Sequence, residues 1–405
     1  GPMLYLRMAH GAVLASLTPL AQSMVAELTP ECDRGKVFGR IVFFMMTGSI
    51  FASMCGTCFA EFQVHIGNKI ILGWRVVYVV TALLAAMLAL LLSVTFQEPA
   101  SEKDEDLRPS GCIAFFRREG KRLGELARIP TFWILCASSI FGNVPWNAFS
   151  FSTTFLQKCG YMDSIAAMIA SCSILGMAVG GLLGGLFGDW AAMRCPKHGR
   201  TFLGQLSYLC TMPTVCIFLL GAPVFGTGLL STILLMFLGF SIGCTLPWAG
   251  PGMNRPMLTE IVQPKDRAAI VAYFTVMEGT SAAFLGSPVV GWLAESQFGY
   301  RVHETININH ADNVRALKLA ILCVMVPLFA VCFLITSLLH LTYPSDKDGV
   351  KRRQAGLQAS LLDVGDGGGL RKIVSLPPSF GSAKTKPQAT WSWILFGGVM
   401  PTEQV

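Results

Sequence analysis

The sequence predicts an all-α membrane protein, and three observations support that fold class. Of its 405 residues 53% are hydrophobic and only 14% are charged, well below the roughly 25% charge of soluble domains. Long windows contain no Asp, Glu, Lys or Arg, and each reaches the roughly 20 residues that a helix needs to cross a bilayer. Unpaired backbone groups are costly in lipid, so such runs must be helices rather than strands. The windows are 41–60, 76–96, 131–157, 164–188 and 201–253.

Nine spanning helices follow when the longest window is split at residues 221–228 and one charge is allowed in each of two further apolar stretches. Their predicted limits are 5–28, 38–62, 74–96, 131–157, 165–190, 200–222, 229–262, 268–295 and 314–343.

Lysine and arginine mark the orientation of these spans. One alternating set of connecting segments carries 23 of them and the other set only 3. Because cytoplasmic loops are enriched in Lys and Arg, the rich set, which includes the tail from residue 344, is predicted to be cytoplasmic. The net charge of +7 is then explained by topology and by the anionic inner leaflet, and no nucleic-acid partner is predicted.

The same topology places residue 1 on the outer side, so an odd number of helices is expected ahead of it. The leading Gly1 and Pro2 fit either a tag scar or a fragment of a longer sequence.

Thirteen cysteines lie mostly inside the predicted spans, and the single C-x-x-C pair, Cys55 and Cys58, lies in the middle of one. Without a nearby histidine or second pair, packing is favoured over metal or redox chemistry. No cofactor and no metal site is predicted.

A short internal repeat suggests two related halves. Glu27, Asp33 and Arg34 recur at an offset of 233 residues as Glu260, Asp266 and Arg267. Many transporters are built from such repeats, with the substrate site between the halves. The helices at 131–222 have no counterpart in the first half, so the repeat predicts three absent helices.

The residues resemble the major facilitator superfamily. The first span has R-M-A-H-G-A-V-L-A from Arg7, similar to the fourth-helix pattern R-x-x-Q-G-x-G-x-A, with His10 in place of Gln. The run G-G-L-F-G-D-W at 184–190, followed by Gly199 and Arg200, resembles the loop between the eighth and ninth helices, with about seven extra residues. The fifth-helix motif of proton antiporters is not found in 38–62. The segments "PWNAFSF", "GPGMNRPML" and "LTYPSDKD" resemble spinster-related facilitators of plants and protists.

The resemblance implies two six-helix bundles with nine of twelve transmembrane helices present. Residues 1–96 would be three helices of the first bundle, 97–130 a cytoplasmic central loop, and 131–343 the whole second bundle. Residues 344–405, rich in Gly, Ser and Pro, are predicted to be a disordered cytoplasmic tail.

The central loop contains "FFRREGKRLGEL". It fits either a solvated linker or an amphipathic helix on the membrane, with Phe115, Phe116 and Leu123 facing the lipid.

Arg255 and Glu278 are charges inside predicted spans, and such charges cost at least ~2.5 kcal/mol each on insertion scales. Counted from the loop at 264–266, they lie at depths of roughly 13 and 18 Å on consecutive antiparallel helices. They are predicted to pair, either as a permanent structural ion pair or as part of a substrate site or gate.

Two interrupted segments are predicted to line a substrate cavity, because Pro and Gly are tolerated in spans where freed backbone groups face protein or water. The alternative is a packing kink without ligand contact. The predicted cavity residues are Asn143, Trp146, Asn147, Trp248, Asn254 and Arg255.

Coupling and gating residues are implied by the resemblance. Arg7 would tune a carboxylate on an absent helix, and His10 titrates near physiological pH, although a packing role for this histidine stays open. Asp189, with Arg200, would be a latch at the cytoplasmic end of a glycine stripe along which the two bundles slide. The stripe consists of Gly176, Gly180, Gly184 and Gly188, with Gly181 and Gly185 beside it.

The predicted function is secondary transport of a small organic solute by alternating access, with proton coupling left open. No Walker loop or H-E-x-x-H motif is found in the sequence, so an ATP-driven pump and a metalloprotease-like enzyme are disfavoured. A sensor or scaffold that keeps the fold but transports nothing is the alternative. The substrate stays open between an organic anion, an amino acid, a sugar and a lysolipid, and the spinster-like resemblance favours amphipathic lipids.

Overall fold

The computed structural model describes residues 2–15, 17–60, 63–66, 69–95, 112–301 and 310–365. The chain separates into two units, residues 1–354 and 355–405. Of the second unit, residues 355–365 are described, and they are helical.

The described residues of the first part of the chain form seven helices and one pair of strands. The strands β1 (Gln63–Ile66) and β2 (Lys69–Leu72) pair antiparallel, with Gln63 opposite Leu72. The helices are α1 (Pro2–Leu14), α2 (Leu17–Leu28), α3 (Arg34–Ala60), α4 (Gly73–Thr95), α5 (Cys112–Leu126), α6 (Pro130–Phe149) and α7 (Ser152–Lys158).

The described residues of the second part form helices joined by short turns, and they include short 3₁₀ and π segments. The α-helices are α8 (Asp163–Arg194), α9 (Gly199–Phe225), α10 (Leu229–Thr245), α11 (Arg255–Glu260), α12 (Arg267–Ser281), α13 (Ser287–Trp292), α14 (His310–Ser337) and α15 (Leu339–Gly365). The 3₁₀ segments are Leu246–Trp248 and Pro264–Asp266, and the π segments are Gly250–Asn254, Ala282–Gly286 and Leu293–Gln297.

Seven helical stretches among the described residues are long and apolar enough to cross a membrane. They coincide with seven of the nine predicted spans, and the predicted fold class of an all-α membrane protein is confirmed. The stretches are Arg34–Ala52, Arg75–Thr95, Asp163–Arg194, Gly199–Phe225, Leu229–Glu260, Pro264–Gln297 and Ala311–Ser337.

The other two predicted spans, 5–28 and 131–157, are each divided into two shorter helices. α2 begins at Leu17, which places Pro19 in its first turn, where its missing N–H interrupts no helical hydrogen bond. α6 ends at Phe149, and the Ser150 hydroxyl donates to the Asn147 carbonyl at 2.6 Å. Local side-chain bonding of this kind competes with helix propagation.

Proline and glycine interrupt the seventh predicted span as the sequence indicated. A 3₁₀ turn that contains Pro247 leads into the π segment Gly250–Asn254, and α11 then has Pro256 at its second position. The next span contains two more π segments, Ala282–Gly286 and Leu293–Gln297. π turns are rare and are frequent at functional sites.

The glycine stripe of α8 forms two contacts instead of the single sliding surface that the sequence predicted. Gly176, Gly180, Gly184 and Gly188 face the backbone of residues 240–252, on α10 and the segments that follow it, inside the second predicted bundle. A Cβ built on Gly180 would overlap the Cys244 carbonyl group.

Only Gly181 and Gly185 face α3 of the first predicted bundle, where Gly35 and Gly39 approach them. A Cβ on Gly185 would overlap the Gly35 carbonyl oxygen, so this contact requires glycine. Successive residues lie about 100° apart around a helix, so neighbouring glycines serve different partners.

The region predicted as a disordered tail begins with a helix, which corrects that prediction for residues 344–365. α15 continues to Gly365 and is tied to the bundle near its start, where the Thr131 backbone N–H donates to Asp346 Oδ2 at 3.1 Å. Residues 366–405 lie outside the described part of the chain.

The basic part of the central loop is a helix, α5. Arg122 Nε lies 2.9 Å from Asp266 Oδ1, just before α12 begins. Leu123 is exposed, and the side chains of Phe115 and Phe116 lie outside the described residues. The ion pair fixes α5 beside α12.

Candidate functional site

A group of polar side chains lies within the membrane-spanning part of the second bundle. We call it the central polar cluster: Ser139, Asn143, Asn147, Arg255 and Glu278. Arg255 Nη2 lies 2.6 Å from Glu278 Oε2, and the two side chains are 16% and 26% exposed. The sequence therefore placed both members of this ion pair correctly.

Helix α6 supplies the remaining members of the central polar cluster from one face. The Ser139 hydroxyl donates to Glu278 Oε1 at 3.0 Å, and Asn143 Nδ2 donates to the Glu278 backbone carbonyl at 3.2 Å. Asn147 Nδ2 donates to the Asn143 carbonyl at 2.8 Å, and Gly286 packs against the Asn147 side chain. The spacing of four residues between 139, 143 and 147 places all three on the side that faces α12.

The ion pair and its surroundings leave polar atoms without a protein partner. Arg255 Nη1 and Asn254 Oδ1 are buried and have no hydrogen-bond partner among the described residues. The Arg255 guanidinium also lies over the Phe274 ring, 4.8 Å from its centroid. A buried donor or acceptor is costly when unpaired, so a ligand or water that bonds these atoms would be stabilised there.

The other predicted cavity and coupling residues have different surroundings. Trp146 is half-buried on α6 between two members of the cluster. Trp248 contacts the Phe187 ring edge to face at 5.6 Å, and its buried Nε1 has no partner among the described residues. These contacts do not place Trp248 with the central polar cluster. His10 is exposed, and the side chain of Arg7 lies outside the described residues.

A second group of charges lies at the end of the bundle that the sequence predicted to be cytoplasmic, which we call the basic end. Asp189 is fully buried there at the end of the glycine stripe. Its carboxylate accepts from the backbone N–H groups of Gly35 at 2.9 Å and Lys36 at 2.7 Å, and from Arg200 Nη2 at 2.9 Å. The two N–H groups belong to the first turn of α3, where a helix favours negative charge.

Arg200 extends this contact to four chain segments. Its guanidinium donates to the carbonyls of Gly252 at 3.0 Å and Glu31 at 3.3 Å, and its Nε lies 3.5 Å from Glu260 Oε1. The residue is 2% exposed. One buried arginine therefore joins α8, the π segment, α11 and the loop before α3.

Glu260 connects α15 to the same group of charges. It accepts a hydrogen bond from the Tyr343 hydroxyl, and Lys347 Nζ lies 2.5 Å from its Oε2 and 3.8 Å from Glu31 Oε2. Burial and the Glu260 charge raise the pKa of Tyr343 well above its ordinary value of 10.0, so this hydroxyl stays protonated and acts as the donor. We call these residues the basic-end network: Glu31, Asp189, Arg200, Glu260, Tyr343 and Lys347.

The repeated arginines of the two halves meet at one carbonyl group. Arg34 Nη2 and Arg267 Nη1 both donate to the Ala26 carbonyl, at 2.9 and 3.0 Å. Sequence reasoning identified both arginines by their common offset. It missed Ser139, Tyr343 and Lys347, because single polar residues of these types carry no recognisable pattern.

A histidine pair lies close to the start of α15. His198 Nδ1 and His340 Nδ1 are 3.0 Å apart, and His340 Nε2 lies 3.2 Å from Gln205 Oε1. One ring nitrogen must donate and the other accept, so two imidazolium rings cannot keep this contact. Burial, together with the charge of His198, lowers the pKa of His340 below its ordinary value of 6.5.

The docking of α15 is therefore expected to weaken on acidification. Because the folded pKa is lowered, the unfolded segment binds the proton more tightly, and stability falls as the pH drops below 6.5. After division by the intrinsic exchange rate at each pH, the amides at 340–348 should be less protected at about pH 5.5 than at about pH 7.5. His340→Gln should remove this difference, whereas the exposed His10→Gln should keep it. An equal pH effect in the His340 variant would show that the pair is not responsible.

No group suited to hold a metal ion is found among the described residues. The cysteines whose side chains are described are all free, and those of Cys55 and Cys58 lie outside the described residues.

The sequence model of the Major Facilitator Superfamily matches residues 2–255. No curated protein sequence matches the chain. Two solved structures of a bacterial homolog to the human lysosomal transporter Spinster are similar to it. The inward-facing and occupied one has 19% identity and a TM-score of 0.41, and the match covers 77% of this chain and 67% of that chain. The inward-facing and unoccupied one has 17% identity and a TM-score of 0.45, covering 81% and 68%.

Proposed function

The chain belongs to the Major Facilitator Superfamily of membrane transporters, and from this premise we propose that it is a secondary transporter that moves a small organic solute by alternating access. In this mechanism two bundles rock about a site near the middle of the membrane. The central polar cluster is the proposed site, and the basic-end network is the proposed gate.

The observation that carries this proposal is the Arg255–Glu278 pair and the unpartnered polar atoms beside it. Ionisable groups inside a span are costly and are commonly functional. Arg255 offers a guanidinium to a carboxylate or phosphate of the solute, and Asn143, Asn147 and Asn254 offer amide groups to its hydroxyl or amino groups. Trp146 adds an apolar wall beside them.

The proposed gate joins elements of both predicted bundles by buried bonds. Asp189 on α8 holds the first turn of α3, and Arg200 reaches Glu31 before α3. These bonds would have to break for the basic end to open, so they stabilise the state that is closed at this end. Proton coupling is proposed to act through Glu278, the one carboxylate in the cluster.

A ligand screen followed by a flux measurement tests the proposed function. Organic anions, amino acids, sugars and lysolipids are tested for an increase in the unfolding temperature of the protein. Ligands that stabilise the wild type should not stabilise Arg255→Gln. Each such ligand should then cross the membrane of proteoliposomes that contain the protein. A ligand that binds but shows no flux would identify a sensor instead of a transporter.

A further inference from the structure

A pocket opens on the side of the bundle near the basic end, apart from the central polar cluster. It lies between the last two turns of α8 and the first two turns of α9, with a volume of about 510 Å³. Its walls are almost entirely apolar, and Arg194 is the one charged residue among them. Its lining includes Phe187, Trp190, Arg194, Phe202, Leu206 and Trp248.

We expect the pocket to face the lipid, because both helices that form it are long and apolar enough to cross a membrane and the pocket opens on their exposed side. Trp190 and Phe202 in its walls are 55% and 58% exposed. Large apolar side chains exposed in this way are expected where a protein surface contacts acyl chains. α8 ends at Arg194 and α9 begins at Gly199, so the basic rim of the pocket lies where the spans leave the membrane.

Arg194 has no carboxylate partner among the described residues. Its guanidinium lies over the Trp190 ring at 5.4 Å from the centroid. Lys197, three residues later in the connection between α8 and α9, is by contrast paired with a carboxylate. Its Nζ lies 3.8 Å from Asp348 Oδ2. An unpaired guanidinium at the rim of an apolar pocket is complementary to a ligand with an anionic head and an apolar tail.

We propose that this pocket binds a phospholipid with an anionic headgroup from the inner leaflet. The phosphate would bind the Arg194 guanidinium, and an acyl chain would lie against Phe187, Phe202 and Leu206. Basic pockets between spanning helices are known to select anionic headgroups, and a volume of about 510 Å³ falls within the range of ligand sites. The lipid is proposed as a resident ligand and not as the transported solute, because the pocket lining shares no residue with the central polar cluster.

The site adjoins elements of the proposed gate. Phe187 and Trp190 flank the latch residue Asp189 on α8. Trp248 comes directly before Ala249 and the π segment that supplies the Gly252 carbonyl to Arg200. A lipid bound here would stabilise the packing of α8 against α9 and with it the closed basic end.

Lipid binding is measured by native mass spectrometry of the purified full chain in a nonionic detergent. Phosphatidylglycerol and phosphatidylcholine with identical acyl chains are added at equal concentration. The wild type should retain one phosphatidylglycerol with a preference of about five-fold, because one cation is worth about 1 kcal/mol toward an anionic lipid. Arg194→Gln should lose the preference and still bind either lipid.

Two further variants make the assignment specific. Lys197→Gln removes a cation three residues from Arg194 that does not line the pocket, so this variant should bind lipid like the wild type. Leu206→Trp fills the apolar wall and should reduce retention of both lipids. The proposal is overturned if Arg194→Gln keeps the five-fold preference, or if Lys197→Gln loses as much of it. If Leu206→Trp does not fold, the comparison of the Arg194 and Lys197 variants still decides.

Discussion

Asp189→Asn should release the first turn of α3 and loosen the basic end. The substitution removes the negative charge that pairs with Arg200 and that accepts the Gly35 and Lys36 N–H groups. Losing one partner of a buried ion pair typically costs about 3 to 5 kcal/mol. A loss of about 3 kcal/mol corresponds to a change of roughly two orders of magnitude in an opening equilibrium. Hydrogen exchange at Gly35 and Lys36 should accelerate accordingly.

A matched control lies on the same helix. Asp163→Asn changes a carboxylate at the other end of α8, where it only accepts an exposed bond from Gln157. It should leave exchange at Gly35 and Lys36 unchanged. If the Gly35 and Lys36 amides stay protected in Asp189→Asn, the glycine contact between α8 and α3 alone closes this end. The buried charge would then not act as a latch.

Glu278→Gln should lower the transport rate by at least about ten-fold, which corresponds to about 1.4 kcal/mol, or should abolish its pH dependence. The change removes the charge that neutralises Arg255 in a membrane span. It also replaces the one carboxylate of the central polar cluster with a group that binds no proton. Flux in proteoliposomes over a pH series measures both effects. Wild-type rates at every pH would remove Glu278 from the mechanism.

A double variant separates a transport role from a packing role. If the pair only stabilises the fold, Arg255→Gln combined with Glu278→Gln should restore both stability and flux, because neither charge is then left uncompensated. If the pair handles the solute or the proton, stability should recover while flux does not. Glu295→Gln provides the control, because Glu295 is an exposed carboxylate later in the same span.

Much of the fold could be predicted because its causes are local in sequence. A charge-free run of about 20 residues has few alternatives to a spanning helix, and seven of the predicted spans have the expected length and composition. The breaks within 5–28 and 131–157 were missed. Both regions are apolar enough overall to be predicted as one span each. Local effects of Pro19 in one region and Ser150 in the other decide where the helices begin and end.

Sequence patterns located the candidate site only in part. Arg255 and Glu278 were identified because charge inside an apolar run is conspicuous, and helix geometry placed them at similar depth. Trp248 was grouped with them because it shares the same Pro-rich segment. The π segment Gly250–Asn254 lies between Trp248 and Arg255. An extra residue in a turn changes which side chains share a face of the helix.

The sequence by itself determined that the chain is a membrane protein of helices, which seven segments are long and apolar enough to cross, and which family it resembles. It also determined which end is rich in basic residues. Only the tertiary structure decided which partner each glycine of α8 meets, that α15 docks through Tyr343 and Lys347, and that Arg34 and Arg267 meet at Ala26. The physical reason is that lipid requires every span to satisfy its backbone locally, which leaves a strong local pattern. Contacts between helices depend on rotation and on residues hundreds of positions apart, which composition and spacing do not encode.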